Sequence, residues 1–556
     1  MMDWDRDSKE GASVMTKILF IYPPYLAPTH VERILAGTEE IAMGAPLGLM
    51  YISGYLKKRG FTGTIELLDL MDKVYRDRRL LADNALFENA IAQHLADFKP
   101  DLIGITLNFS VSWSYFVQIS RVIRERLPEA TIVVGGGHAT FAYKHVLQGG
   151  WADYVVRGEG EYAFADLVSA LGSGRESTIQ GVFDLAKTNT LASDIGEMFN
   201  FEDIEMPDWG LVDAEGYTRR NNSFRFLGSR DDVFAQIVTA RGCPYQCTYC
   251  AASNAYGNKL RYRPVDRVIA EIEWLRNRYG VTGFIPEDDM FISKSERSLQ
   301  LLKALACDNR GIKIAIRNGL AVSALSEDVV DLMVQANVTT CNVAIDGGTP
   351  EMQKQIGKNC DLAKAKRMTR YIRDRGIETC ACMIIGHYGE TRDLLDAAIQ
   401  YILSLEADWL NLQVCAPLPG SEFYRLLCRD GIIKDTPDYW NHDYEVREFA
   451  LNGISGEEIS RIRKRTYYSC NYTNNVNIRE GMYRRALNYY DRRCEQKDND
   501  LFSHLYQAKC LYALGMGEEA DRSMKKVAAI MQTAGGSKTY LENREFVPAE
   551  LDIHLA

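Results

Sequence analysis

Short apolar runs separated by helix-length segments recur along two long stretches of this chain, and that alternation limits the fold more than any other feature. In the first stretch, residues 16–171, the runs are Lys17-Ile18-Leu19-Phe20-Ile21, Thr64 to Leu68, Leu102 to Leu107, Thr131 to Val134 and Tyr154 to Val156. Near-continuous apolar strands with helices between them read as a doubly wound parallel sheet covered on both faces. Ligands of such sheets bind beyond the carboxyl ends of the strands. Those ends carry Tyr22-Pro23-Pro24-Tyr25, Asn108-Phe109-Ser110 and Gly135-Gly136-Gly137-His138-Ala139-Thr140. A dinucleotide turn would put GxGxxG directly after the first strand; Pro23-Pro24 stands there instead. Pro46 then opens an apolar helix, Leu47 to Leu56, from a favourable first-turn position.

The second stretch, residues 231–427, starts with the run Val233 to Val238. Directly after it comes Arg241-Gly242-Cys243-Pro244-Tyr245-Gln246-Cys247-Thr248-Tyr249-Cys250, three thiols within eight residues. A loop of that length brings three sulfurs to one soft-metal object. Zinc ordinarily takes four protein ligands, whereas three cysteines on a four-iron cubane leave one iron open. A chance cluster of cysteines and a zinc loop completed by a distant residue are the alternatives. Further strand-like runs follow at Gly283-Phe284-Ile285, Ile312 to Ile316, Thr340 to Ile345, Thr379 to Ile385 and Trp409 to Val414. Six β–α units result, with active residues expected at the strands' carboxyl ends.

The C-x3-C-x2-C stretch, with an aromatic before its last cysteine, resembles the signature of the radical S-adenosylmethionine (SAM) enzymes. The resemblance implies a partial (β/α)6 barrel and a [4Fe–4S] cluster on Cys243, Cys247 and Cys250. Its open iron would chelate the amino and carboxylate groups of SAM, and one electron would cleave the sulfonium to a 5′-deoxyadenosyl radical. Tyr249 would lie near the adenine. Glu287-Asp288-Asp289 ends the second strand, where the family carries Asp-Asp; one or two of these carboxylates would accept hydrogen bonds from the SAM ammonium or ribose. Asn318, Asp346 and the Gly386 backbone stand where the family contacts SAM. The chain departs from the family at Gly386-His387-Tyr388-Gly389-Glu390, where Gly-Leu-Pro-Gly-Glu is usual; His387 and Tyr388 either face substrate or cap a loop.

The first stretch resembles the cobalamin-binding domain that precedes many radical SAM domains. Its marks are the proline-rich first turn, the Pro-Leu-Gly-Leu helix, the Gly-Gly-x-His-Ala-Thr turn and Arg157-Gly158-Glu159-Gly160-Glu161. Tyr22, Pro23, Asn108, Gly135, Gly136, Gly137, His138 and Glu159 are the implied cobalamin contacts. The DxHxxG motif that supplies histidine to cobalt elsewhere is absent, so base-off cobalamin without a histidine ligand is implied. His138 is expected to hydrogen-bond its own loop or the corrin edge.

Residues 1–15 read as a disordered leader, with Met15 an alternative start, and 172–230 as an irregular connector. The tail, 428–556, is helical and tyrosine-rich. Gly481-Met482-Tyr483-Arg484-Arg485-Ala486 recurs as Gly515-Met516-Gly517-Glu518-Glu519-Ala520, offset by 34 residues, the tetratricopeptide period. Two copies suit a small helical cap on the barrel. A net charge of −10 argues against a nucleic-acid partner, and no run reaches membrane-span length. All 13 cysteines lie at or after Cys243, unlike a disulfide framework, which points to a reducing cytosol.

Together the resemblances imply a cobalamin-dependent radical SAM methyltransferase acting on a small molecule of natural-product, tetrapyrrole or lipid type. An electron donor such as flavodoxin or ferredoxin would serve it. The alternative is a cyclase or rearrangement enzyme with the same cofactors, akin to the anaerobic porphyrin cyclases. The tRNA methylthiolating enzymes share the cluster loop but carry cysteines before it and a basic tail, both missing here. A helical adaptor with a vestigial barrel is a non-enzymatic alternative, against which the intact cysteine triad argues.

Overall fold

The computed structural model describes residues 16–171, 173, 175–189, 195–203, 206–220, 231–307, 311–440 and 447–552; the expected leader lies outside them. The chain divides into two compact units. One is Met1–Leu26 with Pro46–Asp213, the other Ala27–Ala45 with Ala214–Ala556.

The first unit holds one sheet of β1 (Lys17–Tyr22), β2 (Thr64–Asp69), β3 (Leu102–Thr106), β4 (Thr131–Gly135), β5 (Tyr154–Val156) and β6 (Val182–Phe183), in the order β2-β1-β3-β4-β5-β6. The first five run parallel, and β6 adds an antiparallel edge. Ile18, Leu19, Ile21, Leu102, Ile103, Ile132 and Val134 are sealed from water, as strands covered by helices on both faces require. Part of the expected connector is ordered by aromatic burial. Phe199, Phe201 and Trp209 are buried, and Phe199 packs edge-on to Tyr55 at 5.5 Å. The Ser53 hydroxyl donates to Asp208 at 2.6 Å.

The second unit contains β7 (Phe234–Ile237), β8 (Ala240–Arg241), β9 (Arg261–Tyr262), β10 (Gly283–Pro286), β11 (Lys313–Ala321), β12 (Val338–Asp346), β13 (Glu378–Ile385) and β14 (Trp409–Val414). Six of them form one parallel sheet in the order β14-β13-β12-β11-β10-β7, the partial barrel expected. Short β8 and β9 pair antiparallel outside it and bracket the cysteine loop. Neither they nor β6 carries enough residues to show a period in the sequence.

The tyrosine-rich tail covers the exposed edge of β14. Asn471 accepts from Leu410 N at 2.7 Å and donates to Leu410 O at 3.0 Å, while Arg463 Nε donates to Leu412 O at 2.7 Å. Unpaired edge groups are an aggregation hazard, and these side chains satisfy them. Trp409 of the same strand stacks on Tyr489 at 5.6 Å within a core that includes Tyr472, Tyr490 and Tyr506. Fully buried Asp408 takes both arms of Arg485, at 2.5 and 2.6 Å. The 34-residue repeat marks two helix starts, Tyr483–Gln496 and Gly517–Met531, with Ala486 and Ala520 buried at matching places. No helix among the described residues is long and apolar enough to cross a membrane.

Candidate functional sites

In the second unit, the cysteine loop is held at its root by three side chains, of which Asp288 and Arg263 are buried. Thr239 N donates to Asp288 Oδ1 at 2.6 Å, its hydroxyl donates to the other oxygen, and Gly242 N donates to Asp289 at 2.9 Å. Arg263, ion-paired with Glu271 at 2.5 Å, donates to Val238 O at 3.0 Å. All three thiols are half-buried. Burial pushes Cys250 up to about 11, with Cys247 and Cys243 near enough to add to the effect. No three His, Cys, Asp or Glu side chains among the described residues converge tightly enough for a single metal ion. In a four-iron cluster each thiolate binds its own iron, and three half-buried thiols on one loop supply such a donor set.

Of the acidic trio, Asp288 and Asp289 therefore support the loop. Burial raises Asp288 to about 7 despite the hydrogen bonds it accepts. Glu287 is half-buried. It accepts from Gln236 at 2.6 Å and from Asn318 at 3.4 Å. Asn318 is not at a strand end but within β11, where the pairing with β12 slips between Ile316 and Leu320. That bulge turns Asn318 outward, toward Asp288 O at 3.2 Å. Gln236 also accepts from Ala45 N at 2.7 Å.

At the end of β12, Asp346 is buried in a left-handed conformation with φ of 68°. Tyr249 OH donates to it at 2.5 Å, and buried Lys358 pairs with the same oxygen. Gly386 is gripped from both sides: its N–H donates to Glu390, and its carbonyl accepts from Arg447. Burial lifts Glu390 to about 7. His387 is buried with its ring 5.6 Å from Tyr249, and burial lowers it to about 4, a neutral imidazole. Tyr388 donates to Asp430 at 2.6 Å, capping a loop. So Tyr249 of the cysteine loop meets Asp346 and His387, Lys358 pairs with Asp346, and Glu390 and Arg447 hold Gly386; Lys358, Glu390 and Arg447 carried no expected role. Only the spacing Gly386-x3-Glu390 was a readable sign of these.

In the first unit the strand ends present a different surface. Gly136 at φ of 109° turns β4 into the helix Gly137–Gln148, and a Cβ there would lie 2.5 Å from Asn108 Oδ1. Asn108 accepts from Gly137 N at 3.2 Å. His138 points inward: its Nδ1 is 2.9 Å from Ser110 Oγ, and burial lowers it to about 3. Glu159 accepts from Phe199 N at 2.6 Å, and Arg157 donates to Thr140 O at 2.9 Å. Tyr22 and Pro23 are buried below the turn. Tyr22, Tyr25 and Phe109 form an aromatic row with centroids 5.7 and 5.2 Å apart, and Phe109 is 47% exposed. A half-exposed aromatic shelf at the strand ends, beside the half-buried Gly135 to Gly137, fits a large planar macrocycle.

Comparison with known proteins matches a stretch in each unit to a family. Residues 42–168 match the B12 binding domain and 237–402 the Radical SAM superfamily. A protein of Pyrococcus horikoshii named as an uncharacterized methyltransferase is 25% identical over 82% of this chain and 92% of its own length. The anaerobic magnesium-protoporphyrin IX monomethyl ester cyclase of Rubrivivax gelatinosus is 25% identical over 74% of this chain and 70% of its own. The radical SAM methyltransferase TsrM of Kitasatospora setae, solved with cobalamin and a [4Fe–4S] cluster, superposes with a TM-score of 0.59. That match has 20% identity and covers 76% of this chain and 80% of TsrM.

Proposed function

The chain belongs to the cobalamin-binding radical SAM enzymes, and from that premise we propose that it transfers a methyl group to carbon on a small-molecule substrate. The observation that carries the reading is that one chain holds both a cobalamin-type glycine turn and a three-thiol loop at the end of a partial barrel. The match to the protein named a methyltransferase spans more of both chains than the match to the cyclase, which favours methyl transfer over cyclisation.

When bound, the three cofactors would supply an electron for cleaving SAM, the resulting radical, and a store for the methyl group. Cys243, Cys247 and Cys250 would hold the cluster. Tyr249, Glu287, Asn318, Asp346 and the Gly386 backbone would orient SAM, with Asp288 and Asp289 fixing the loop that carries the thiols. His387, kept neutral by burial, adds an uncharged polar group beside Tyr249. Gly135, Gly136, Gly137 and Asn108, with the Phe109 ring, would seat cobalamin, while buried Tyr22 backs that ring through Tyr25. Thirteen free cysteines suit a reducing cytosol, where a flavodoxin- or ferredoxin-type protein would provide the electron.

The test is anaerobic incubation of the reconstituted protein with methyl-deuterated SAM, a low-potential reductant and host-cell extract. 5′-Deoxyadenosine and S-adenosylhomocysteine appearing with a deuterated product would support methyl transfer. 5′-Deoxyadenosine with an undeuterated product would replace it by the cyclase-type reaction.

A further inference from the structure

One buried amide beside Glu287 has no part in that reading. The stretch Ala27–Ala45 belongs to the second unit, although the residues on either side of it belong to the first. It forms a strap: Ile41 and Met43 are buried, and Glu39 lies 3.9 Å from Lys497 of the tail. At its far end the strap meets buried Gln236 on β7, an edge strand of the barrel sheet. Ala45 N donates to Gln236 Oε1 at 2.7 Å, and a Cβ on Gly44 would lie 3.1 Å from Gln236 Nε2. A backbone N–H can only donate, so it fixes which end of the carboxamide faces the strap. Nε2 is thereby turned to Glu287 and donates to its Oε1 at 2.6 Å, a strong bond because the acceptor is a carboxylate. The other oxygen is held loosely. Asn318 Nδ2 reaches Oε2 at 3.4 Å while lying 3.2 Å from Asp288 O and 3.5 Å from Pro286 O. That is three acceptors for the two hydrogens of one amide. Glu287 also directly precedes Asp288 and Asp289, which hold the cysteine loop. It is thus clamped through one oxygen beside that loop, with the second oxygen available to a donor group on a ligand.

We propose that Gln236 is a positioning residue for SAM, holding Glu287 so that its second oxygen accepts from the ammonium or ribose of SAM. The inference rests on the assignment of Glu287 as a SAM contact made above. Gln236 acts through the orientation of Glu287, and the Ala45 N–H of the strap is its anchor.

The experiment uses the full chain, reconstituted anaerobically with iron and sulfide. It compares wild type, Gln236→Leu, Gln236→Glu, Glu287→Ala and the double variant of Gln236→Leu with Glu287→Ala. Iron content is measured first, and SAM affinity is then read by equilibrium dialysis with radiolabelled SAM. Gln236→Leu is expected to weaken SAM binding by about 5- to 10-fold, within the range of coupling between groups in one hydrogen-bond network. In the Glu287→Ala background the same change should cost less than about 2-fold, a non-additivity that a merely structural role would not produce. Gln236→Glu keeps an acceptor for Ala45 N but sets a second carboxylate against Glu287, so it should weaken binding at least as much. Unchanged affinity in fully loaded Gln236→Leu would overturn the proposal, as would an equal loss in both backgrounds. If Gln236→Leu does not load with iron, Gln236→Glu decides: weaker binding upholds the proposal, and wild-type affinity ends it. Glu287→Ala binding SAM as wild type does would instead remove Glu287 from the SAM site. A wild type that binds no SAM would defeat the functional reading, and either of these results takes the proposal with it.

Discussion

Both candidate sites sit at the ends of parallel strands, yet their motif side chains behave oppositely. In the first unit they turn inward: His138 meets Ser110, Glu159 holds Phe199 N, and Arg157 holds Thr140 O. What stays exposed is the Phe109 ring, beside half-buried glycine backbone. In the second unit the supporting groups also turn inward, but they do so to present three thiols, with Asp346, Lys358 and Tyr249 beside them. The difference follows from the ligands. A flat macrocycle needs area and close backbone approach, whereas a metal cluster needs named donor atoms. A motif of the first kind is mostly a signature of the fold, and one of the second kind is the chemistry itself.

The largest effect that tests this contrast is at a thiol. Cys250→Ala should abolish the four-iron cluster and 5′-deoxyadenosine formation, while cobalamin binding by the first unit persists. Iron and sulfide analysis together with the cobalamin absorption spectrum checks both halves. Loss of cobalamin with the cluster would break the separation drawn here.

Next is Asp288, a supporting group whose charge can be read out. Its folded value of about 7 lies above the usual carboxylate value of 3.8. Between those values the folded state binds more protons than the unfolded one, so this group's contribution to stability falls as pH rises through that window and levels off above it. The slope for one such group is at most about 1.4 kcal/mol per pH unit. Asp288→Asn keeps an acceptor for Thr239 N and removes the titration. Denaturant unfolding of the apo-protein at pH 5 and 7 should therefore show wild type losing more stability than the variant over that interval. Equal losses would show that Asp288 does not titrate there.

Legibility in the sequence divided along the same line. The long apolar strands, the thiol loop and the helix starts at Tyr483 and Gly517 could be read because each rests on local period or spacing. The Tyr388 cap was one of two open readings. Arg447, Lys358 and Ser110 carried no readable role because they reach their partners, Gly386, Asp346 and His138, across long sequence separations. Asn318 was placed at a strand end, but the bulge puts it within β11. That slip depends on the partner strand, and one strand's own residues do not show it. The connector's order likewise depends on Phe199, Phe201 and Trp209 finding the first unit's helices, a tertiary event.

A smaller effect is expected at the aromatic shelf. Phe109→Ala removes a ring that is nearly half exposed, so folding should change little. Cobalamin affinity should weaken by roughly 2- to 12-fold, the range of about 0.5–1.5 kcal/mol for an aromatic contact. Equilibrium dialysis of the cofactor measures it, and an unchanged affinity would remove Phe109 from the site.

The smallest expected effect is the most discriminating. His138 lies at the position where the sequence most invites a cobalt ligand, yet its Nδ1 is held by Ser110 and its ring is buried. To reach a metal outside the turn, the ring would have to leave a hydrogen bond and an edge-on contact with Trp113 at 6.1 Å. Breaking a buried hydrogen bond of this kind costs about 1–3 kcal/mol, without counting the lost packing. His138→Gln keeps a polar group for Ser110. It should leave the paramagnetic spectrum of bound cob(II)alamin unchanged, with no nitrogen splitting in either protein, and alter affinity by less than about 3-fold. Nitrogen splitting in the wild type that vanishes in the variant would make His138 a ligand. The first unit would then present a named donor atom just as the second does, and the contrast between the two sites would fall.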